Sequence, residues 1–261
     1  MKEINTSELK SIQIVILDKF SEYCKLNNLK YSLAYGTALG AVRHKGYIPW
    51  DDDVDVMMPR KDYEYFINNF NKTHNDVKCY SYPNDTDYRQ PFAKICDENT
   101  IMNEFLYAKD CYGVYIDLFP IDGIKKSSYV SFIAMLLHIL NAKKAVNLCL
   151  RSKSKKIIIA IGKALLCFIS VQYIIAFIQK CSKRHKINDV PFACVLCSTT
   201  AKREILPKAV YEECKDIEFE GKNYKIVKDH DAYLNACYGD YMSFPPISKR
   251  ESTHKYKAYW K

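Results

Sequence analysis

The chain has 261 residues, 48% hydrophobic and 26% charged, with only 8 Gly and 9 Pro. That composition excludes a disordered, collagen-like or low-complexity polypeptide, and the length suits one large domain or one domain with a sizeable insertion. Thirty-nine Lys and Arg against 30 Asp and Glu give a formal net charge of +9, so an anionic partner is expected wherever that excess is concentrated.

Residues 7–27 place apolar side chains at 9, 12, 16, 17, 20, 23 and 24, the spacing of an amphipathic helix that Asn27 and Asn28 end. Residues 30–35 (KYSLAY) read as a strand leading into Gly36-Thr37, with a short helical segment over 38–43. Residues 52–58 (DDVDVMM) alternate acid and apolar, a strand with one wet face that Pro59 closes. A helix over 60–71 turns Tyr63, Phe66, Ile67 and Phe70 to the core, and strands are predicted at 77–81, 91–96 and 113–119. Further on, 193–197 reads as an apolar strand and 229–238 as a helix, before Pro245-Pro246. No internal repeat is visible.

The charge excess has one location. Residues 125–186 hold thirteen Lys and Arg and no Asp or Glu, which leaves 26 basic against 30 acidic residues in the remainder. The same stretch is the most apolar, with VSFIAMLLHIL over 130–140 and IIIAIGKALLCFISVQYIIAFI over 157–178. At about 1.5 Å per residue the second run is roughly 33 Å long as a helix, enough to cross a bilayer. Lys163 and Gln172 fall on opposite sides of that helix, so neither a clean span nor a clean amphipathic face fits. A helix or hairpin dipping into an anionic membrane face is the favoured reading, with a buried core helix and a transmembrane span as the others. Nucleic acid is disfavoured, because the neighbours of these basic residues are Ile, Leu, Phe and Ala rather than stacking aromatics.

Residues 1–30 carry Lys, Glu and Asp throughout and lack the apolar core of a secretory signal. The eleven Cys are scattered, as expected of reduced thiols in the cytosol. The expected location is therefore cytoplasmic, peripheral to the inner face of the plasma membrane. Cys181, His185, Cys194 and Cys197 make a zinc site conceivable, but the spacing is untidy and ordinary buried cysteines are the simpler reading.

The chemistry centres on Trp50-Asp51-Asp52-Asp53-Val54-Asp55-Val56. Side chains two apart on a strand share a face, so Asp53 and Asp55 project together. Adjacent carboxylates repel unless a cation sits between them, and oxygen ligands of this kind suit Mg²⁺ or Mn²⁺. Gly36-Thr37 upstream is a turn whose backbone N–H groups can approach a phosphate. Downstream, Asp117 in VYIDL is a lone carboxylate on an apolar strand, costly without a partner such as that metal. A Gly-Thr, an Asp-x-Asp strand and one later strand Asp resemble the layout of the nucleotidyltransferase superfamily, in which divalent ions assist phosphoryl transfer.

The local sequence is more specific. YGTALGAVRHKGYIPWDDDVDVMMPRKDYEYF (35–66), PFAKICDENT (91–100), YIDLFPIDG (115–123) and YGDYMSFPPISKRESTH (238–254) closely resemble the LicD family. This resemblance implies an α+β fold, a nucleotidyltransferase-like core with a small mixed sheet flanked by helices, and the charge and apolar pattern add the inserted basic apolar helical segment, which none of the four blocks covers. The expected division is 1–124 catalytic core, 125–190 insertion and 191–261 completing the core. The resemblance further implies a bacterial phosphotransferase moving phosphocholine or a related phospho-alcohol from a CDP-activated donor. The acceptor would be a hydroxyl of a cell-surface glycan, in lipopolysaccharide, teichoic acid or capsule, lipid-linked or not. Fukutin-type transferases share that core and use CDP-ribitol. Matched residue by residue, Asp53 and Asp55 fall on the metal pair, Asp117 on the third carboxylate, as ligand or base, and Gly36 and Thr37 on the phosphate turn.

Arg43, His44 and Lys94 are candidate phosphate contacts beside their plainer readings as a surface arginine, a structural histidine and a solvated lysine. Trp50 is more often a packing residue than a stacking platform. Arg250 and His254 match the C-terminal block and are candidates to close over the donor. Two rival readings are a Mn²⁺-dependent glycosyltransferase using Asp-Val-Asp, which the preceding Gly-Thr disfavours, and a non-catalytic membrane-associated scaffold, which the complete carboxylate set disfavours.

Overall fold

A computed structural model describes residues 1–104, 112–144, 168–251 and 256–261. Strand β1 (Glu3–Ile4) leads into α1 (Thr6–Leu26), β2 (Ser32–Leu33), α2 (Tyr35–His44), β3 (Asp55–Pro59) and α3 (Arg60–Asn69). Next come β4 (Val77–Tyr80), β5 (Ala93–Asp97), β6 (Thr100–Glu104), β7 (Tyr115–Ile124) and two helices, α4 (Ser127–Lys144) and α5 (Val171–Ser182). The remainder is β8 (Phe192–Cys194), β9 (Leu206–Pro207), α6 (Ala209–Glu212), β10 (Cys214–Phe219), β11 (Lys222–Val227), α7 (His230–Tyr238) and β12 (Tyr256–Trp260). The fold class is α+β, as expected.

The main sheet runs β2-β3-β7-β5-β4, with β8 and β9 continuing from β7. Only the β3–β7 pair within it is parallel, so the sheet is mixed. Strand β7 serves both halves: residues 115–118 pair with β5, while Asp122, Gly123 and Ile124 pair with β8. Helix α1 is started by a reciprocal cap, Glu8 N–H donating to Asn5 Oδ1 at 2.9 Å and Asn5 N–H to Glu8 Oε2 at 3.1 Å. Its Ile16, Leu17, Phe20, Tyr23 and Cys24 are buried with Tyr63, Phe66 and Ile67 of α3. Phe20 and Tyr23 meet Phe66 edge-on at 5.1 and 5.4 Å between ring centroids. These aromatic contacts lock both helices over the sheet.

The helical hairpin has its own core. Val130, Ile133, Leu137 and Leu140 of α4 pack on Ile174, Ile175 and Ile178 of α5, and both rest on Ile124, Cys194 and Leu196. The described part of the 157–178 run thus buries one face, while residues 157–167 lie outside the described residues. No helix among the described residues is long and apolar enough to cross a membrane. Arg60 at the start of α3 donates Nε and Nη2 to the two oxygens of Asp122, both at 2.7 Å, and Nη1 to Gln179 Oε1 of α5 at 2.9 Å.

Three expectations are corrected. Strand β3 begins at Asp55, so Asp53 lies in extended chain before it, because only from Asp55 onward does β7 supply a partner. Helix α2 begins at Tyr35, so Gly36 and Thr37 form its first turn instead of a separate turn before it. The hairpin β10–β11 and the β1-β12-β6 sheet add strands that the periodicity does not reveal. The β10–β11 turn, Glu220-Gly221, has both residues at positive φ (51° and 74°), the geometry of a tight hairpin. Its Glu220 N–H donates to Lys45 O at 2.9 Å and its Oε1 accepts from Tyr47 N–H at 3.0 Å, pinning the loop after α2.

Candidate active site

The register of the main sheet assembles the centre. Asp55 on β3 faces Asp117 on β7, and Asp117 faces Lys94 on β5, so three charged side chains form one row across three strands. Lys94 Nζ donates to Asp117 Oδ1 at 2.8 Å and lies over the Tyr115 ring, 3.2 Å from its centroid. Asp55 is 9% exposed and Lys94 3%. Burial, then repulsion by Asp53, Asp117 and Asp51, holds the Asp55 carboxyl well above the usual range, against the pull of Lys94.

Asp51 belongs to the same group. Burial, the Asp53 charge and a hydrogen bond shared with Asp53 push its carboxyl to about 7. It was legible as the third member of an i, i+2, i+4 series with Asp53 and Asp55, although the sequence pattern singled out only the last two. Asp52 is anchored through its backbone: its carbonyl accepts from Gln13 Nε2 at 3.0 Å, and Gln13 Oε1 accepts from the Tyr47 hydroxyl at 3.0 Å.

The first turn of α2 closes the other side. No side chain caps it from the cap position, which Ala34 occupies; Tyr35 N–H donates to the Tyr233 hydroxyl, and the N–H groups of Gly36 and Thr37 are suited to an anion. A methyl group on Gly36 would lie 2.5 Å from Asp51 Oδ2, so the glycine permits this close approach. Thr37 Oγ1 accepts from Asp55 N–H at 2.9 Å, and Ala34 N–H donates to Asp55 O at 2.9 Å, tying the helix start to β3. Tyr238 at the end of α7, 45% exposed as a whole, is near the carboxylates: desolvation, Cys237 and then Asp55, Asp51 and Asp53 push its phenol up. It went unnoticed because it is one of 21 Tyr.

A second cluster lies at the far end of α2. Arg43 Nη1 donates to Tyr241 O at 2.9 Å, its Nε donates to His44 Nε2 at 3.0 Å, and its guanidinium carbon is 4.7 Å from the Phe244 ring centroid. The Arg250 guanidinium carbon lies 5.5 Å from the Trp50 centroid and 5.3 Å from that of Phe244. His44 meets Phe244 edge-on at 5.6 Å. Burial and Arg43 lower the His44 pKa, so its ring is a neutral acceptor. The structure thus divides the sequence candidates: Asp53, Asp55, Asp117, Lys94, Gly36 and Thr37 in one group, Arg43, His44, Trp50 and Arg250 in the other. Trp50 joins them through the peptide to Asp51. His254 lies outside the described residues.

The carboxylate set is chemically suited to a divalent ion: its donors are all oxygens, and the crowding that raises Asp51 and Asp55 is what a cation would relieve. As the side chains stand, no three His, Cys, Asp or Glu among the described residues form a ready-made metal cage. Cys181, His185, Cys194 and Cys197 are likewise not gathered into such a cage. Burial raises the Cys194 and Cys197 thiols well above their ordinary range, and every cysteine among the described residues is free.

Residues 28–133 match the family model described as LicD/FKTN/FKRP, nucleotidyltransferase domain. The matched stretch contains the whole carboxylate row and the first turn of α2. Over that stretch the chain is similar to the LicD family. It is 29% identical to the lipopolysaccharide cholinephosphotransferase LicD of Haemophilus influenzae over 99% of both chains. It is also 42% identical over 67 residues to an uncharacterized protein of Rickettsia typhi, covering 25% of this chain and 22% of that one. An uncharacterized Rickettsia prowazekii protein is 41% identical over 63 residues, 24% of each chain.

Proposed function

We propose that the protein transfers phosphocholine, or a related phospho-alcohol, from a CDP-activated donor to a hydroxyl of a cell-surface glycan. Lipopolysaccharide is the first acceptor to test, given the activity named for the full-length Haemophilus relative. The observation that carries this reading is the row Asp55–Asp117–Lys94 set against an uncapped helix start at Gly36-Thr37. The N–H groups of Gly36 and Thr37 bind a donor phosphate oxygen, and Lys94 holds Asp117 in place through its 2.8 Å bond. Asp53 and Asp55 would hold Mg²⁺ or Mn²⁺, which neutralises charge on the donor phosphates during displacement. The acceptor oxygen bonds to the phosphorus of the phospho-alcohol, the bond from that phosphorus to the bridging oxygen breaks, and cytidylate departs. Asp117 either completes that metal site or accepts the hydroxyl proton. Trp50, Phe244, Arg43 and Arg250 form the wall on which the rest of the donor rests, its cations facing the second phosphate.

The test is incubation with CDP-choline and lipopolysaccharide, with Mg²⁺ or with chelator, followed by mass analysis. A metal-dependent gain of one phosphocholine is expected. A gain of one sugar would establish the glycosyltransferase alternative, and no product with any CDP-alcohol would reject transfer.

We infer also that the helical hairpin rests on an anionic membrane on the cytoplasmic side. Tyr173, Phe177 and Lys180 are exposed at helical spacing on α5, and Phe132 meets Phe177 across from α4 at 6.3 Å, with Met135 beside it. Apolar side chains beside lysines, in a stretch without one acidic residue, match an anionic lipid surface. Pelleting with phosphatidylglycerol vesicles but not phosphatidylcholine vesicles, weakened by Phe177→Ser with Lys180→Glu, is the expected result. Equal binding to both, or none, rejects it.

A further inference from the structure

Tyr35 is in the left-handed region, φ 44°, a conformation that a bulky residue adopts only when its surroundings impose it. Three contacts impose it here. Its N–H donates to the Tyr233 hydroxyl at 3.2 Å, its own hydroxyl donates to Glu204 Oε2 at 3.0 Å, and its ring meets Phe119 edge-on at 5.4 Å. The residues on either side of this strained link both hold Asp55: Ala34 donates to its carbonyl and Thr37 accepts from its N–H, each at 2.9 Å. A rotation at Tyr35 therefore moves the first turn of α2 and the first residue of β3 together.

We propose that Tyr35 and Glu204 are positioning residues for the transfer, the buried carboxylate acting through the tyrosine hydroxyl to set where the α2 start and Asp55 stand. The proposal rests on the reading of the site given above. Glu204 is 1% exposed and ends the short turn Ala201–Glu204. Its Oε1 accepts from Thr200 Oγ1 at 3.3 Å, and its backbone carbonyl accepts from the Tyr211 hydroxyl at 2.8 Å. The titratable groups facing it are Tyr35 of α2, Tyr211 of α6, Tyr233 and Cys237 of α7, and Cys194 and Cys197 of β8 and the turn after it. None of these is a cation. An amide would fill the same space, so what the carboxyl adds is a second acceptor oxygen and charge, which strengthens the bond it accepts from Tyr35. Burial raises the group to about 7, against hydrogen bonds from Tyr35, Thr200 and Ser198, so the ionised, holding form is gained as pH rises through neutrality.

The experiment uses the full chain with Glu204→Gln, Tyr35→Phe and Thr200→Val. Transfer from CDP-choline is followed between pH 5.5 and 8.5, and amide hydrogen exchange is followed in the peptide covering 34–44. Tyr35→Phe should lower kcat about tenfold with donor KM changed less than threefold. Glu204→Gln should lose the limb near neutral pH, and Thr200→Val, which removes a donor to the carboxylate, should move that limb upward. Exchange in 34–44 should quicken in Tyr35→Phe and Glu204→Gln and stay unchanged over α1. Wild-type kinetics, pH profile and exchange in all three variants would overturn the proposal. Should Tyr35→Phe fail to fold, the limb shift in Thr200→Val decides, a fixed limb counting against it. An inactive wild type whose 34–44 exchange still responds to Glu204→Gln would reject the transfer reading while upholding the positioning of α2.

Discussion

Replacing Glu204 by glutamine should make the protein more stable in mild alkali. The carboxyl is displaced from 4.5 to about 7 by burial, so folding favours its protonated form. That stabilisation is complete below the ordinary glutamate pKa and is lost as pH rises through about 7. At 1.36 kcal/mol per pH unit of displacement the full effect is about 3 kcal/mol, of which about 2.5 kcal/mol develops between pH 5 and pH 8. Glutamine keeps the shape, its oxygen accepting from one of the Tyr35 and Thr200 hydroxyls and its amide nitrogen donating to the other, but it never ionises. Urea denaturation of both proteins at pH 5, 6, 7 and 8 isolates the term, because every other group titrates alike in the two. The wild type should lose ground to the variant steadily across that range. Parallel stability curves would refute the claim that this carboxyl is ionised at a cost inside the core. A variant both more stable and slower would be the usual signature of a group kept for function.

Asp55→Asn should remove transfer by several orders of magnitude while leaving the fold as stable or more so, since it relieves a carboxyl that burial and three neighbouring acids disfavour; turnover and thermal melting read the two effects separately. Asp53→Asn should also abolish transfer with melting within a few degrees of wild type, and retention of most activity would remove it from the metal pair. Lys94→Met leaves Asp117 without the 2.8 Å bond and should cost about 3–5 kcal/mol in urea denaturation as well as at least a hundredfold in turnover; loss of less than threefold in rate would reject its place in the row. Gly36→Ala sets a methyl 2.5 Å from Asp51 Oδ2, so activity should fall about tenfold with little change in melting temperature, and unchanged kinetics would show that Asp51 can move aside freely.

Helices α1, α3 and α7 were legible because their apolar residues recur at the helical period and polar ends close them. The carboxylate row was legible in part: the acids stand two apart in sequence, but their partner Lys94 is set by strand register, which no local pattern encodes. Strand β3 came out shorter than the alternation implied because pairing, rather than alternation, defines a strand. The β10–β11 hairpin (CKDIEF and KNYKIV) escaped notice since most of its residues are polar or exposed. Tyr35 and Glu204 are 169 residues apart, and neither position carries any local sign of the contact. Strand β12 pairs with β1 from the opposite end of the chain, a juxtaposition of the same kind.

The two-pronged grip of Arg60 on Asp122 has a mechanical consequence. Gln179 of α5 takes one more proton from that guanidinium and gives one of its own to Pro91 O, three residues ahead of Lys94. A single amide on the helical hairpin is thus clasped to the root of α3 and to the approach of β5. Cutting the hairpin away would leave one guanidinium N–H of Arg60 and the carbonyl of Pro91 without their partner, and a push on its outer face would be felt at the lysine that steadies Asp117.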